Sequence, residues 1–231
     1  MVKRFLRIVP TYYVFLLLVV AGCIPYYFVP QEDLGRQVAV HLLFLQDYFP
    51  AKIVVSFWSL GVEEKFYFLI PFLVVGLSSV PGAGRRIRLL GMMACIPLVL
   101  RFATYAAHEG SLAYTACFWK FRSPFHLAAD SLLIGSFCAY LYHHRDQFVW
   151  LSRPWVGRGL FVGGATVVGV LLCGRPLLEG EIGWFGATLL FPLLALGFGA
   201  VTLSLAVCPG PWSGLFRARW LFFFSRISYS L

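Results

Sequence analysis

Charge is scarce in this chain. Asp, Glu, Lys and Arg make up only 13% of its 231 residues, and 10 of those residues are acidic. A soluble domain of this size carries about a quarter charged residues and about half apolar ones. Here 60% are apolar and the mean hydropathy is +0.79. That leaves too little polar surface to coat a water-soluble globule. No repeat and no low-complexity tract interrupts the chain. The six cysteines (Cys23, Cys95, Cys117, Cys138, Cys173 and Cys208) are widely scattered. Their spacing excludes a disulfide framework and a cysteine metal site, and no metal ligand set is expected.

Apolar runs are abundant. Crossing about 30 Å of hydrocarbon takes roughly 20 residues of helix. Such stretches run from Phe5 to Val29, Val54 to Val80, Leu89 to Ala107, His126 to Tyr142, Trp155 to Cys173 and Trp184 to Val207. A seventh starts near Trp220 and is cut at Leu231. The expected fold is therefore all-α: a polytopic transmembrane helix bundle with six complete spans and a truncated seventh, forming one domain over residues 1–231. Aromatics suit this reading, because Tyr and Trp gather at lipid headgroup level. Lys3 and Arg4, followed by an apolar run and Cys23, mimic a lipoprotein signal. The further spans favour a first span with a basic inner flank. Gly159 and Gly163 have the spacing of a helix-packing contact.

The net charge of +9 has a topological meaning in such a protein. With the N-terminus in the cytoplasm, the inner ends hold eleven Lys and Arg residues, against five in the outer segments. The expected location is a cell membrane, with the chain's N-terminus cytoplasmic and lipid all round. No basic face is interleaved with polar structure, so nucleic acid is not an expected partner.

Ionisable groups within spans are costly and mark candidate sites. Glu63 and Glu64 open an apolar helix on the outer side. Leu60, Glu64, Tyr67 and Pro71 share one helical face, and Glu63 points elsewhere. A carboxylate there can work as acid or base, or can tie helices together. His126 and Asp130 stand four apart on one face. They could form a general base with its orienting acid, or an interhelical clamp. Arg4 and Arg7 share a face at the inner mouth of the first span, where guanidiniums suit phosphate or simply set topology. Arg101 lies mid-span and needs a carboxylate or free carbonyls. His41 and His108, in outer loops, carry little signal.

Taken in order, these segments resemble the acyltransferase 3 family of membrane acyltransferases. Arg4-Phe-Leu-Arg7-Ile-Val-Pro10-Thr-Tyr12 is similar to that family's RxxR-h-x-P-x-Y element. Trp58-Ser59-Leu-Gly-Val-Glu63-Glu64-Lys65-Phe-Tyr67 is similar to its W-S-L-x-V-E-E-Q-F-Y element. Ser123 to Gly135 resembles an H-x-R-x-D-x-L-x-x-G element, and Ser225 to Leu231 resembles the lead-in to a final one. The resemblance implies an enzyme with no bound cofactor. Acyl-CoA, often acetyl-CoA, is its co-substrate, and the acceptor is a hydroxyl of a surface carbohydrate, a glycolipid or another lipid-linked molecule. It implies catalytic roles for Glu63, Glu64, His126 and Asp130. Substrate binding would fall to Arg4, Arg7, Tyr12, Trp58, Ser59, Tyr67 and Arg101. Several features depart from the pattern. Ala128 stands where the family has Arg, Lys65 where it has Gln, and the chain starts after the point at which the family carries a span with an Arg and a His. The chain thus reads as the middle of a larger transferase. A transporter or flippase, or a catalytically inactive fragment, are the alternative readings.

Overall fold

A computed structural model describes residues 2–27, 29, 32–50, 52–108, 113–174, 182–208, 213–216 and 221, with the side chains of the first helix described from Leu6 onward. Every regular element among these residues is helical. The α-helices in chain order are α1 (Val2–Val20), α2 (Leu34–Leu42), α3 (Trp58–Ser78), α4 (Ala83–Ala106), α5 (Tyr114–Cys117), α6 (Phe125–His143), α7 (Pro154–Cys173), α8 (Trp184–Thr188), α9 (Leu190–Val207) and α10 (Ser213–Phe216), with short 3-10 turns at Val55–Phe57, Arg145–Gln147 and Val149–Ser152. A single π-helical turn, Phe118–Arg122, joins α5 to the approach of α6.

The helical membrane fold stands, but the expected six complete spans do not all appear. Among the described residues, four helices are long and apolar enough to cross a membrane: α4, α6, α7 and α9. The first expected span is cut short. Gly22 takes a left-handed φ of 72°. The Cys23 N–H reaches the Leu18 carbonyl and the Gly22 N–H the Val19 carbonyl, so α1 ends in a Schellman motif. Its described apolar part is Leu6–Val20. In α3, Glu63, Glu64 and Lys65 occupy the first two turns. The uncharged remainder, from Phe66 to Ser78, is about 20 Å long at 1.5 Å per residue, short of a bilayer core of about 30 Å. The sixth expected span breaks at Leu189. Pro192 lacks an N–H and its ring crowds the carbonyl of Thr188, so the helix restarts there as α9. The seventh expected span lies outside the described residues, save Leu221.

The chain forms two compact units. The first takes residues 1–80, 96–129 and 180–188, and the second residues 81–95, 130–179 and 189–231. In the first, Leu16 and Val19 of α1 bury against Ile53 and Val54, with Leu34, Val38 and Phe57 around them. A neighbouring cluster joins Cys117, Phe121 and Ala187. Arg101 is 1% exposed. Its guanidinium donates to the Phe121 carbonyl at 3.3 Å and to the Leu127 carbonyl. Of the two partner types expected for it, backbone carbonyls are therefore present. The π turn supplies one of them, because its wider winding takes carbonyls out of the α-helical ladder.

In the second unit, α7 and α9 pack closely. A Cβ on Gly164 would stand 2.6 Å from the Gly197 carbonyl oxygen, and one on Gly197 would stand 3.1 Å from that of Gly164. The Ser204 hydroxyl donates to the Gly157 carbonyl at 2.7 Å. This is small-residue packing as membranes favour it, but in a different register from the one expected. Gly159 and Gly163 meet nothing within 4 Å of an added Cβ, so the contact belongs to the face of Gly157 and Gly164. A concavity of about 510 Å³ lies between α6 and α9, lined by residues such as Ile134, Cys138, Phe198 and Leu203. No carboxylate or imidazole is among its lining residues, which are mostly apolar.

Candidate functional site

The polar residues of the first unit converge on the segment between α2 and α3. Asp47 is 0% exposed. Its Oδ1 accepts Lys65 Nζ at 2.5 Å and its Oδ2 accepts the Phe125 N–H at 3.2 Å. Its backbone carbonyl accepts the Ser123 hydroxyl at 2.6 Å. One residue thus ties the start of α3 to the start of α6. Lys65 also donates to the carbonyls of Phe44 and Gly61. Gly61 is glycine for a steric reason. A Cβ there would lie 3.1 Å from the Phe44 carbonyl oxygen and 3.2 Å from Asp47 Oδ1. The charge that departs from the family pattern at Lys65 is therefore answered by Asp47.

Beside this node, Tyr48 meets His126. Its phenol oxygen is 3.1 Å from His126 Nδ1, and the rings stack at 5.6 Å with planes 12° apart. Lys65 Nζ stands 5.5 Å from the Tyr48 ring centroid. Partial burial pushes the Tyr48 phenol above its ordinary value; a hydrogen bond from the His126 backbone opposes the rise, and the Asp47 carboxylate adds to it. His126 itself is exposed. The sequence places Asp130 as its partner, but the Nδ1 contact belongs to Tyr48. Asp130 is buried in the second unit, where its Oδ1 accepts the Ser131 N–H at 2.8 Å.

A second buried group joins α1 to α2. Tyr12 donates its hydroxyl to the His41 carbonyl at 2.9 Å, and its oxygen lies 3.3 Å from His41 Nδ1. The phenol's single proton is committed to the carbonyl, so the Nδ1–H donates to the phenol oxygen. That leaves the lone pair of His41 on Nε2, where no partner stands among the described residues. His41 is 0% exposed, and burial lowers its pKa to about 4. Gln46, also fully buried, donates to the Phe57 carbonyl at 2.9 Å.

The other expected site residues are placed as follows. Glu63 and Glu64 are half-buried on the first turns of α3. Trp58, at the N-terminal end of the same helix, carries the Arg122 guanidinium 5.6 Å from its ring centroid and the Phe118 ring edge-on at 5.2 Å. Ser59 is exposed and donates to the Ser56 carbonyl at 3.3 Å. Tyr67 is half-buried beside Phe66. Arg7 is exposed, and the Arg4 side chain lies outside the described residues. Trp58, Glu63 and Glu64 thus lie in the first turns of α3 and His126 in the first turn of α6, the two helix starts that Asp47 ties together. Tyr12 is instead built into the contact with His41. Sequence reasoning missed His41, Gln46, Asp47 and Tyr48. The one signal that could have found three of them was the consecutive Gln46-Asp47-Tyr48, polar side chains directly after the apolar Leu42-Leu43-Phe44-Leu45.

Apolar helices long enough to cross a membrane, with a polar node at the starts of α3 and α6, are the features of a helical membrane protein. The chain matches the family model of the acyltransferase domain over residues 1–231, and it belongs to the acyltransferase 3 family. Comparisons with curated proteins and with solved structures each found no match.

Proposed function

We propose that this protein is a membrane acyltransferase. It passes an acyl group, acetyl in the simplest case, from cytoplasmic acyl-CoA to a hydroxyl of a surface carbohydrate, glycolipid or other lipid-linked acceptor. Family membership over the whole chain is the observation that carries this reading. In it the chain lies in a cell membrane with its N-terminus cytoplasmic. Arg4 and Arg7 then meet the CoA phosphates, for which planar guanidiniums are suited. Trp58, Ser59, Tyr67 and Arg101 shape the acceptor side, and Tyr12 braces the first helix.

The reaction needs a proton taken and a proton returned. The acceptor oxygen attacks the thioester carbonyl, a C–O bond forms and the C–S bond breaks. A base removes the hydroxyl proton, and the leaving thiolate ends as the CoA thiol. Glu63, Glu64 and the His126/Asp130 turn are the groups assigned to this traffic. The exposure of His126 and its contact with Tyr48 support that assignment.

Membranes carrying the protein are expected to move radiolabel from acetyl-CoA into a carbohydrate or lipid fraction. Glu64→Gln is expected to lower that transfer about a hundredfold, within the range for a positioned acid or base. Full transfer by Glu64→Gln removes Glu64 from the site. No transfer by the unaltered protein, with any carbohydrate or lipid fraction supplied, refutes the reading.

A further inference from the structure

The Tyr48–His126 contact has a chemical consequence. An imidazole that handles protons must present a defined nitrogen, because only one of its two nitrogens carries the lone pair when neutral. The hydrogen bond made by the other nitrogen fixes which one is presented. For His126 that bond is to Tyr48, at 3.1 Å. The ring stack adds a second constraint, since it limits rotation of the imidazole plane.

Tyr48 is itself held in place. Asp47 is locked by Lys65, by the Phe125 N–H and through its carbonyl by Ser123. Tyr48 follows it directly in the chain, and Lys65 covers its ring. His126 follows Phe125, the residue whose N–H Asp47 accepts. Tyr48 and His126 are thus neighbours of two residues joined by a buried hydrogen bond, so their relative position is set twice over.

We infer that Tyr48 is a positioning residue, which engages His126 Nδ1 and stacks on its ring so that a single tautomer presents Nε2 outward. This rests on the acyl-transfer reading for what His126 does, and not for how it is held.

Tyr48→Phe isolates the claim. It keeps the stacking ring and deletes only the hydroxyl, at a side chain 41% exposed. The first measurement is 15N and 13C NMR of ring-labelled histidine in the purified full chain, with His126 assigned by its loss in His126→Gln. The unaltered protein is expected to show one tautomer at His126, and Tyr48→Phe a mixture of both. A mixture in the unaltered protein overturns the inference, as does an unchanged spectrum in Tyr48→Phe. The second measurement is acetyl transfer from acetyl-CoA across pH. Tyr48→Phe is expected to lower kcat about tenfold with KM for acetyl-CoA unchanged, the size of one orienting hydrogen bond, and to shift the pH profile. An unshifted profile with full kcat overturns the positioning role. If the unaltered protein transfers nothing, the acyl-transfer reading fails, and the NMR measurement still decides how His126 is held.

Discussion

Replacing Lys65 with methionine leaves the Asp47 carboxylate buried without its countercharge. Asp47 is 0% exposed, whereas the Lys65 side chain keeps 24% of its surface in contact with solvent. The two single substitutions are therefore unequal. Lys65→Met strands a negative charge whose remaining donor among the described residues is the backbone N–H of Phe125. Breaking a buried pair in this way costs about 3 kcal/mol, at the low end of the measured range because that donor remains. Asp47→Asn keeps an oxygen for the Phe125 N–H and frees an ammonium that can turn toward water, and its cost is about 1 kcal/mol. The double variant has no stranded charge and should also lose about 1 kcal/mol, which gives a coupling of about 3 kcal/mol between the two positions. The assay is thermal unfolding in detergent, followed by the circular dichroism of the helices. At about 2–4 °C per kcal/mol for a chain of this size, Lys65→Met should lower the midpoint by about 6–12 °C, and the double variant by only a few degrees. A Lys65→Met protein as stable as the original refutes the buried pair. So does a double variant that loses as much as Lys65→Met alone.

Other outcomes are expected from the same structure. His41 has a folded pKa of about 4 against an ordinary 6.5, so the unfolded chain takes up a proton that the folded one refuses. The contribution is full above pH 6.5 and is lost as pH falls toward 4. It amounts to about 3 kcal/mol at most, and His41→Gln should flatten the detergent melting profile across that window. Gly164→Val should lower the melting midpoint by several degrees, because its Cβ would stand 2.6 Å from the Gly197 carbonyl oxygen. Gly163→Val, with nothing within 4 Å, should leave the midpoint unchanged.

Several features were legible in the sequence because they depend on local pattern. Apolar length announces α4, α6, α7 and α9. The burial of Arg101 follows from its place in the middle of an apolar run, and so does its need for polar partners. Helix ends were less legible. Gly22 and Pro192 each stop a run that hydropathy alone would continue. The face of α7 that packs was misread because Gly159 and Gly163 stand four apart, the spacing of a packing motif, whereas the glycines in contact, Gly157 and Gly164, stand seven apart on another face. The candidate site was half legible. Motif residues marked the starts of α3 and α6, but their partners lie far away in sequence. Asp47 stands 18 residues from Lys65 and 78 from Phe125, and Tyr12 stands 29 from His41. No local periodicity encodes such pairings. His41 looked like a loop histidine, but it lies in α2, and its burial depends on the packing of α1 against that helix.

Those separations also set an order of events during synthesis. At about 5–20 residues per second, Lys65 leaves the ribosome roughly 1–4 s after Asp47, and Phe125 roughly 4–16 s after it. For that interval the Asp47 carboxylate has no α6 to bind. It must stay hydrated at the membrane surface, ionised and outside the bundle, until the later helices have been inserted. The ion pair with Lys65 can form first and hold the segment near α3. Ser123 and the Phe125 N–H then close over it. A charge that is costly to bury early becomes the catch that fastens last.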